Sequence, residues 1–196
     1  MINFRAATEN DAGFLVPLVT VSSGGVWNAV WRATATEGQT IEASGARYIA
    51  DCNHDLSIKN TVIAERAGRG IGAMICYQEG SDAAGNNESL LPRTLVDALQ
   101  PYRQLTDPNS WFIAELCLLP EARGQGVGTR LLERAKIEAR RRNLPSVTLR
   151  VFGNNAGAVR LYERFGFTKQ AELPVVPHPD INVSGSVLLM SCPSNP

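Results

Sequence analysis

The strongest constraint in this sequence is the run Leu116-Cys117-Leu118-Leu119-Pro120-Glu121-Ala122-Arg123-Gly124-Gln125-Gly126-Val127-Gly128-Thr129-Arg130-Leu131-Leu132. It begins inside a nearly unbroken apolar segment from Trp111 to Leu119, with Glu115 as the single charge, which is the pattern of a central strand buried on both faces. It ends in a series, Val127, Leu131, Leu132, Ala135 and Ala139, spaced as one face of a long amphipathic helix that closes on Arg140-Arg141-Arg142-Asn143. Between strand and helix lies Gly124-x-Gly126-x-Gly128. A strand that passes through glycines straight into a helix aims unpaired N–H groups and the positive end of the helix dipole at one point, which suits a phosphate. Glycines let the ligand's oxygens approach the backbone donors. The spacing matches neither G-x-G-x-x-G nor G-x-x-x-x-G-K-[ST], and a glycine cluster alone is equally well a plain connection.

The remaining periodicities place this run in a longer α/β order. Ile2-Asn3-Phe4-Arg5 alternates as a short strand, and Thr8 to Asp11 offers a cap for a helix carrying Phe14, Leu15, Leu18 and Val19. Residues 22–58, with Trp27, Trp31 and Tyr48, hold no sustained period and read as short helices and loops. Val62 and Ala64, then Ala67-Gly68-Arg69-Gly70, then Ile71, Ala73, Ile75 and Tyr77 predict a β-hairpin turning at the glycines. Residues 79–92 are a polar loop, Leu95 to Tyr102 a short helix, and Thr106 to Asn109 another loop. Val147 to Phe152, Phe167 to Glu172 and Ser186 to Ser191 read as strands, and Ala156 to Phe165 as a helix. All of this fits one domain over residues 1–196.

Composition narrows the function classes. Lys plus Arg and Asp plus Glu number 19 each, so the chain lacks the basic excess expected of a nucleic-acid binder. No stretch approaches the roughly 20 apolar residues that span a bilayer, and the N-terminal MINFRAATEND lacks the apolar core of a signal peptide, so no membrane partner and a cytoplasmic location are expected. Cys52, Cys76, Cys117 and Cys192 contain no C-x-x-C and read as reduced packing residues. His54 and His178 stand far apart without a ligand pattern, so no metal is expected.

A second segment gives the glycine loop its meaning. Val151-Phe152-Gly153-Asn154-Asn155-Ala156-Gly157-Ala158-Val159-Arg160-Leu161-Tyr162-Glu163-Arg164-Phe165-Gly166-Phe167 sets an Asn at a strand-to-helix junction and a Tyr about two turns later. Arg123-x-x-Gly126-x-Gly128 followed by Asn155-x-x-Ala158-x-x-x-Tyr162-x-x-x-Gly166-Phe167 resembles the GNAT superfamily of N-acetyltransferases, in detail over Trp111 to Phe167 and in outline before it. The resemblance implies a central mixed, mostly antiparallel sheet flanked by helices. It also implies that this sheet is splayed between the strand at 111–119 and the strand at 147–152, with acetyl-CoA (coenzyme A) as cosubstrate in the cleft. In it, Arg123, Gly124, Gln125, Gly126, Val127, Gly128 and Thr129 hold the pyrophosphate, backbone groups of Cys117 and Leu118 pair with the pantetheine arm, and Asn155 and Tyr162 complete the site.

Each chemical role has a plainer counterpart. Glu115 is either a structural acid or a general base whose pKa desolvation raises, and the resemblance favours the base. Tyr162 is a core aromatic or the general acid that protonates the leaving thiolate; Asn155 also suits a helix N-cap. Cys117, beside the expected thioester, reads more simply as a small core residue. The expected function is acetyl transfer to a primary amine by direct attack in a ternary complex, in a monomer or homodimer. The alternative is a non-catalytic acyl-CoA-binding or regulatory module of the same fold. An acyl group longer than acetyl stays open, and the acceptor is expected against residues 22–58, with Trp27, Trp31 and Tyr48, and the loop 79–109.

Overall fold

In the computed structural model, which describes residues 1–78 and 91–195, seven strands share one sheet. They are β1 (Ile2–Ala6), β2 (Thr61–Arg66), β3 (Arg69–Gln78), β4 (Ser110–Leu118), β5 (Ser146–Phe152), β6 (Thr168–Pro174) and β7 (Ser186–Pro193), in the order β1-β2-β3-β4-β5-β7-β6. Every neighbouring pair is antiparallel except β4 with β5. The mixed, mostly antiparallel sheet is therefore present. The β2–β3 hairpin turns at Ala67 and Gly68, with φ of 50° and 76°, the left-handed pair that a two-residue hairpin loop requires.

Helices α1 (Ala12–Ser22), α2 (Val26–Thr34) and α3 (Ile41–Ala50) precede β2; α4 (Arg93–Gln104) precedes β4; α5 (Val127–Arg141) and α6 (Ala156–Phe165) follow β4 and β5. The apolar stripe of α5, Val127, Leu131, Leu132, Ala135 and Ala139, is wholly buried in one core with Val147, Leu149 and Met190. On the opposite face Leu15, Val19, Trp31 and Ile49 pack with Ile63, Ala73 and Ile75. Trp31 is fully buried against Gly45 of α3, where a Cβ would lie 2.7 Å from its ring, so it belongs to the core and not to the acceptor surface expected of it.

Two features of β4 position the site. Its ladder with β3 shifts register between Ile75 and Cys76: Ile113 pairs with Cys76 and Glu115 with Ile75, leaving Ala114 as an extra residue, a β-bulge. The bulge reverses the side-chain alternation, so Trp111 and Ile113 join the α5 core, whereas Glu115 and Cys117 project to the face of α1. Its ladder with β5 stops at Ile113–Leu149, and β5 continues paired to β7 up to Phe152. Beyond that point β4 and β5 part, and among the described residues no strand pairs with this edge of Ala114–Leu118.

The first helix begins at Ala12, just past the expected Thr8–Asp11 cap, with Pro17 inside it, and the region 22–58 holds the short helices expected of it, α2 and α3. The polar loop expected at 79–92 lies, for residues 79–90, outside the described residues. Three of the four cysteines are buried as expected, but Cys52 is exposed, because it follows α3 on the surface. The arginines that close α5 are exposed, with Arg140 donating to the Ser194 carbonyl at 2.9 Å and Arg142 lying over the Trp111 ring at 4.4 Å.

Candidate active site

A cleft of about 890 Å³ opens where β4 and β5 part. Its floor is Leu116, Cys117 and Leu118; one wall is Arg123, Gly124, Gly126, Val127, Gly128 and Thr129, and the other comes from α6 with Asn155, Ala158 and Tyr162. The glycine loop forms because Gly124 and Gly126 take φ of 70° and 75°, and Gly126 is the N-cap of α5. A Cβ on either would meet nothing within 4 Å, so both backbones face open space at a helix N-terminus. That is a fit for a pyrophosphate: exposed donors, a favourable dipole and no side chain in the way. The exposed edge of β4 fits the amides of a pantetheine arm in the same way, as an added strand would.

Not every residue of the loop faces the cleft. The Gln125 side chain donates to the Glu121 carbonyl at 2.5 Å and accepts from Arg66, and it does not line the cleft, which leaves the backbone N–H as the part of Gln125 that can meet a phosphate. Gly128 lines the cleft, yet a Cβ there would stand 3.0 Å from Leu161 Cδ2, so its smallness serves the close approach of α5 and α6. Arg123 is held by its Nε–H donating to the Leu118 carbonyl at 3.3 Å. Asn155 caps α6, its Oδ1 accepting from the Ala158 N–H at 3.2 Å, while still lining the cleft.

A second, smaller cavity of about 270 Å³ adjoins the first and shares Ser22, Leu116, Asn155, Ala158 and Tyr162 with it. Glu115 lies at this junction, 8% exposed. Its Oε2 accepts from the Ser22 hydroxyl and its Oε1 from Trp27 Nε1–H at 3.2 Å. Burial pushes its pKa up to about 7, against the opposing pull of the Ser22 and Trp27 donors and of the Arg150 charge. A carboxyl poised near neutrality can both take and release a proton. Cys117 donates its thiol hydrogen to Ser22 Oγ at 3.1 Å, and burial raises its pKa well above that of a free thiol, so it stays protonated. Tyr162 is likewise pushed up by burial and keeps its hydroxyl hydrogen.

Ser22 and Arg150 were not among the expected site residues. Ser22 is the last residue of α1 and reaches Glu115 only after the bulge has turned that side chain; nothing local marks it. Arg150 stands in an otherwise apolar strand, Val147-Thr148-Leu149-Arg150-Val151-Phe152, and that lone charge was a readable signal of the same kind as Glu115. Trp27 lines the smaller cavity, and Tyr48 stands beside it, 5.7 Å from its ring and stacked on His54. Among the described residues no cluster of His, Cys, Asp and Glu could hold a metal ion.

The sequence pattern of the acetyltransferase (GNAT) family matches residues 29–167. The chain belongs to this family. A protein called acetyltransferase Atu2258, from Agrobacterium fabrum, is 42% identical over 64 residues, covering 32% of this chain and 45% of the relative. The chain thus spans under half the length of that relative. Over whole structures, a crystal structure described as an acetyltransferase superposes with a TM-score of 0.68 at 19% identity, covering 98% of this chain and 100% of the other. An N-acetyltransferase from Staphylococcus aureus Mu50 superposes at 0.66 with 16% identity, covering 96% and 99%. These structures share the GNAT fold, including the open sheet.

Proposed function

We propose that this GNAT protein transfers an acetyl group from acetyl-CoA to a primary amine by direct attack within a ternary complex. The observation that carries the reading is the position of Glu115, a buried carboxyl with pKa about 7 where the long cleft meets the smaller cavity. Acetyl-CoA lies in the long cleft, its pyrophosphate on the Gly124–Thr129 backbone and its arm along the open edge of β4. The amine enters the smaller cavity. Its nitrogen attacks the thioester carbonyl carbon, and one N–H proton passes to Glu115 as the C–N bond forms. Backbone donors near Leu118 hold the carbonyl oxygen as charge develops on it. The C–S bond then breaks, and the Tyr162 hydroxyl protonates sulfur; the proton held by Glu115 returns through solvent to the phenolate.

Direct attack is favoured over an acetyl-enzyme because Cys117, the one thiol on the cleft floor, is held protonated and hydrogen-bonded to Ser22. Free-thiol release from acetyl-CoA across a panel of amines tests the transfer. Intersecting double-reciprocal lines and no acetylated Cys117 are expected. Tight CoA binding with no amine-dependent thiol release in any member of the panel would make the protein a binding module.

A further inference from the structure

Two chemistries meet in the smaller cavity. One end is the Glu115 carboxyl with its donors Ser22 and Trp27. Aliphatic and ring surfaces drawn from separate elements make up much of the rest: Val26 of α2, Tyr77 of β3, Leu99 of α4, Phe112 of β4 and Phe152 of β5. Val26, Tyr77, Leu99 and Phe152 are only half-buried, so each keeps surface that a ligand in the cavity would cover. Removing that surface from water favours a ligand that is apolar where it touches them.

Polar side chains in the same lining are engaged by the protein itself. The Ser23 hydroxyl donates to the Thr20 carbonyl at 3.3 Å, and Asn155 caps α6. Arg150 donates from Nη1–H to the Tyr102 carbonyl at 2.9 Å, lies over the Phe112 ring at 4.3 Å and has a further partner within the protein. A charged group on the body of the ligand would give up its water among walls whose polar groups are already committed. The amine nitrogen is different, because the Glu115 carboxyl can accept its hydrogen. We infer that the acceptor is a primary amine on a compact apolar body without a second charged group, and that Val26, Leu99 and Phe152 select it by covering that body while the nitrogen faces Glu115. The volume of about 270 Å³ sets the compactness. The inference rests on the amine entering this cavity as described above.

Matched pairs test it: isoamylamine against L-leucine and 2-phenylethylamine against L-phenylalanine, where the second member adds a carboxylate, and n-pentylamine against 1,5-diaminopentane, which adds an ammonium. Each is measured with the CoA-bound protein by calorimetry and, with acetyl-CoA, by thiol release. In the pairs that bind, the apolar amine is expected to bind at least about tenfold more tightly than its charged partner, with the same preference in kcat/KM carried mainly by KM. A smaller preference, a preference for the charged member, or binding of none of the six overturns the inference. Leu99→Gln, which sets an amide in the wall, is expected to weaken the apolar amines by about tenfold with CoA affinity unchanged, and Leu99→Met to leave them near wild type. Should Leu99→Gln fail to fold, Val26→Thr, which keeps the volume and adds a hydroxyl, makes the same comparison. Wild-type affinity for the amines in the folded variant overturns the assignment of the wall. Selective binding of the apolar amines without any thiol release supports the apolar cavity and instead removes acetyl transfer, whereas thiol release that favours the charged members keeps acetyl transfer and overturns the inference.

Discussion

The two sides of the β4–β5 parting are built by different means. The side proposed to hold the pyrophosphate is one stretch of chain, in which a buried strand, three glycines and a helix N-terminus follow one another and the donors are backbone groups. The side proposed for the acceptor is an assembly of side chains from separate elements: Ser22 of α1, Trp27 of α2, Glu115 of β4, Arg150 of β5 and Tyr162 of α6. A backbone cradle tolerates many side chains provided the glycines remain; a side-chain assembly depends on each member's chemistry. Substitutions in the two regions should therefore fail in different ways, one in CoA affinity and the other in turnover and pH dependence.

The largest effect is expected on the acceptor side. Glu115→Gln should lower kcat by about 10²–10⁴-fold while CoA affinity by calorimetry stays near wild type. Its stability has a signed pH dependence. The folded pKa of about 7 lies above the ordinary 4.5, so the wild type gains from a neutral Glu115 at low pH and loses that gain as pH rises from about 4.5 through 7. The variant should thus match wild type near pH 4 and exceed it at pH 8, by on the order of 2–3 kcal/mol in denaturant titrations. A wild type whose stability does not fall across that interval would mean Glu115 is already ionised when folded.

On the other side, Gly126→Glu sets bulk and negative charge in the open space of the loop at a φ of 75°, and should weaken CoA binding by roughly 10²–10³-fold, a few kcal/mol. Unchanged affinity in the folded variant would remove the pyrophosphate from this loop. Tyr162→Phe keeps the ring packed 5.7 Å from Phe167 and removes one hydroxyl. A fall in kcat of about 10²-fold with little change in melting temperature or in KM for acetyl-CoA is expected. Turnover at the wild-type rate would return Tyr162 to the core.

Ser22→Ala is the mildest and the sharpest test of the assembly. It removes a donor that lowers the Glu115 pKa, so the acid limb of kcat/KM should move to higher pH, with a rate loss that shrinks as pH rises. A loss of equal size at every pH would mean that Ser22 positions something other than the charge of Glu115.

Much of this molecule was legible before any coordinates. The α5 stripe, the glycine loop, the Asn155–Phe167 segment and the β2–β3 hairpin follow from short-range pattern, each decided by residues within a turn or two of one another or by the alternation of a strand, whereas the mostly antiparallel sheet was implied only by the family resemblance. What only the tertiary structure decided is which way those patterns face. A period of two places Glu115 with Trp111 and Ile113, towards α5; the extra residue at Ala114 in the ladder with β3 turns it to α1 instead. Pairing between strands distant in sequence sets that register, and the same parting of β4 and β5 admits Arg150 to the cavity. Ser22 entered the site for the same reason. A helix's last residue acquires a partner on β4 only when long-range packing brings it there, and local sequence holds no record of that contact.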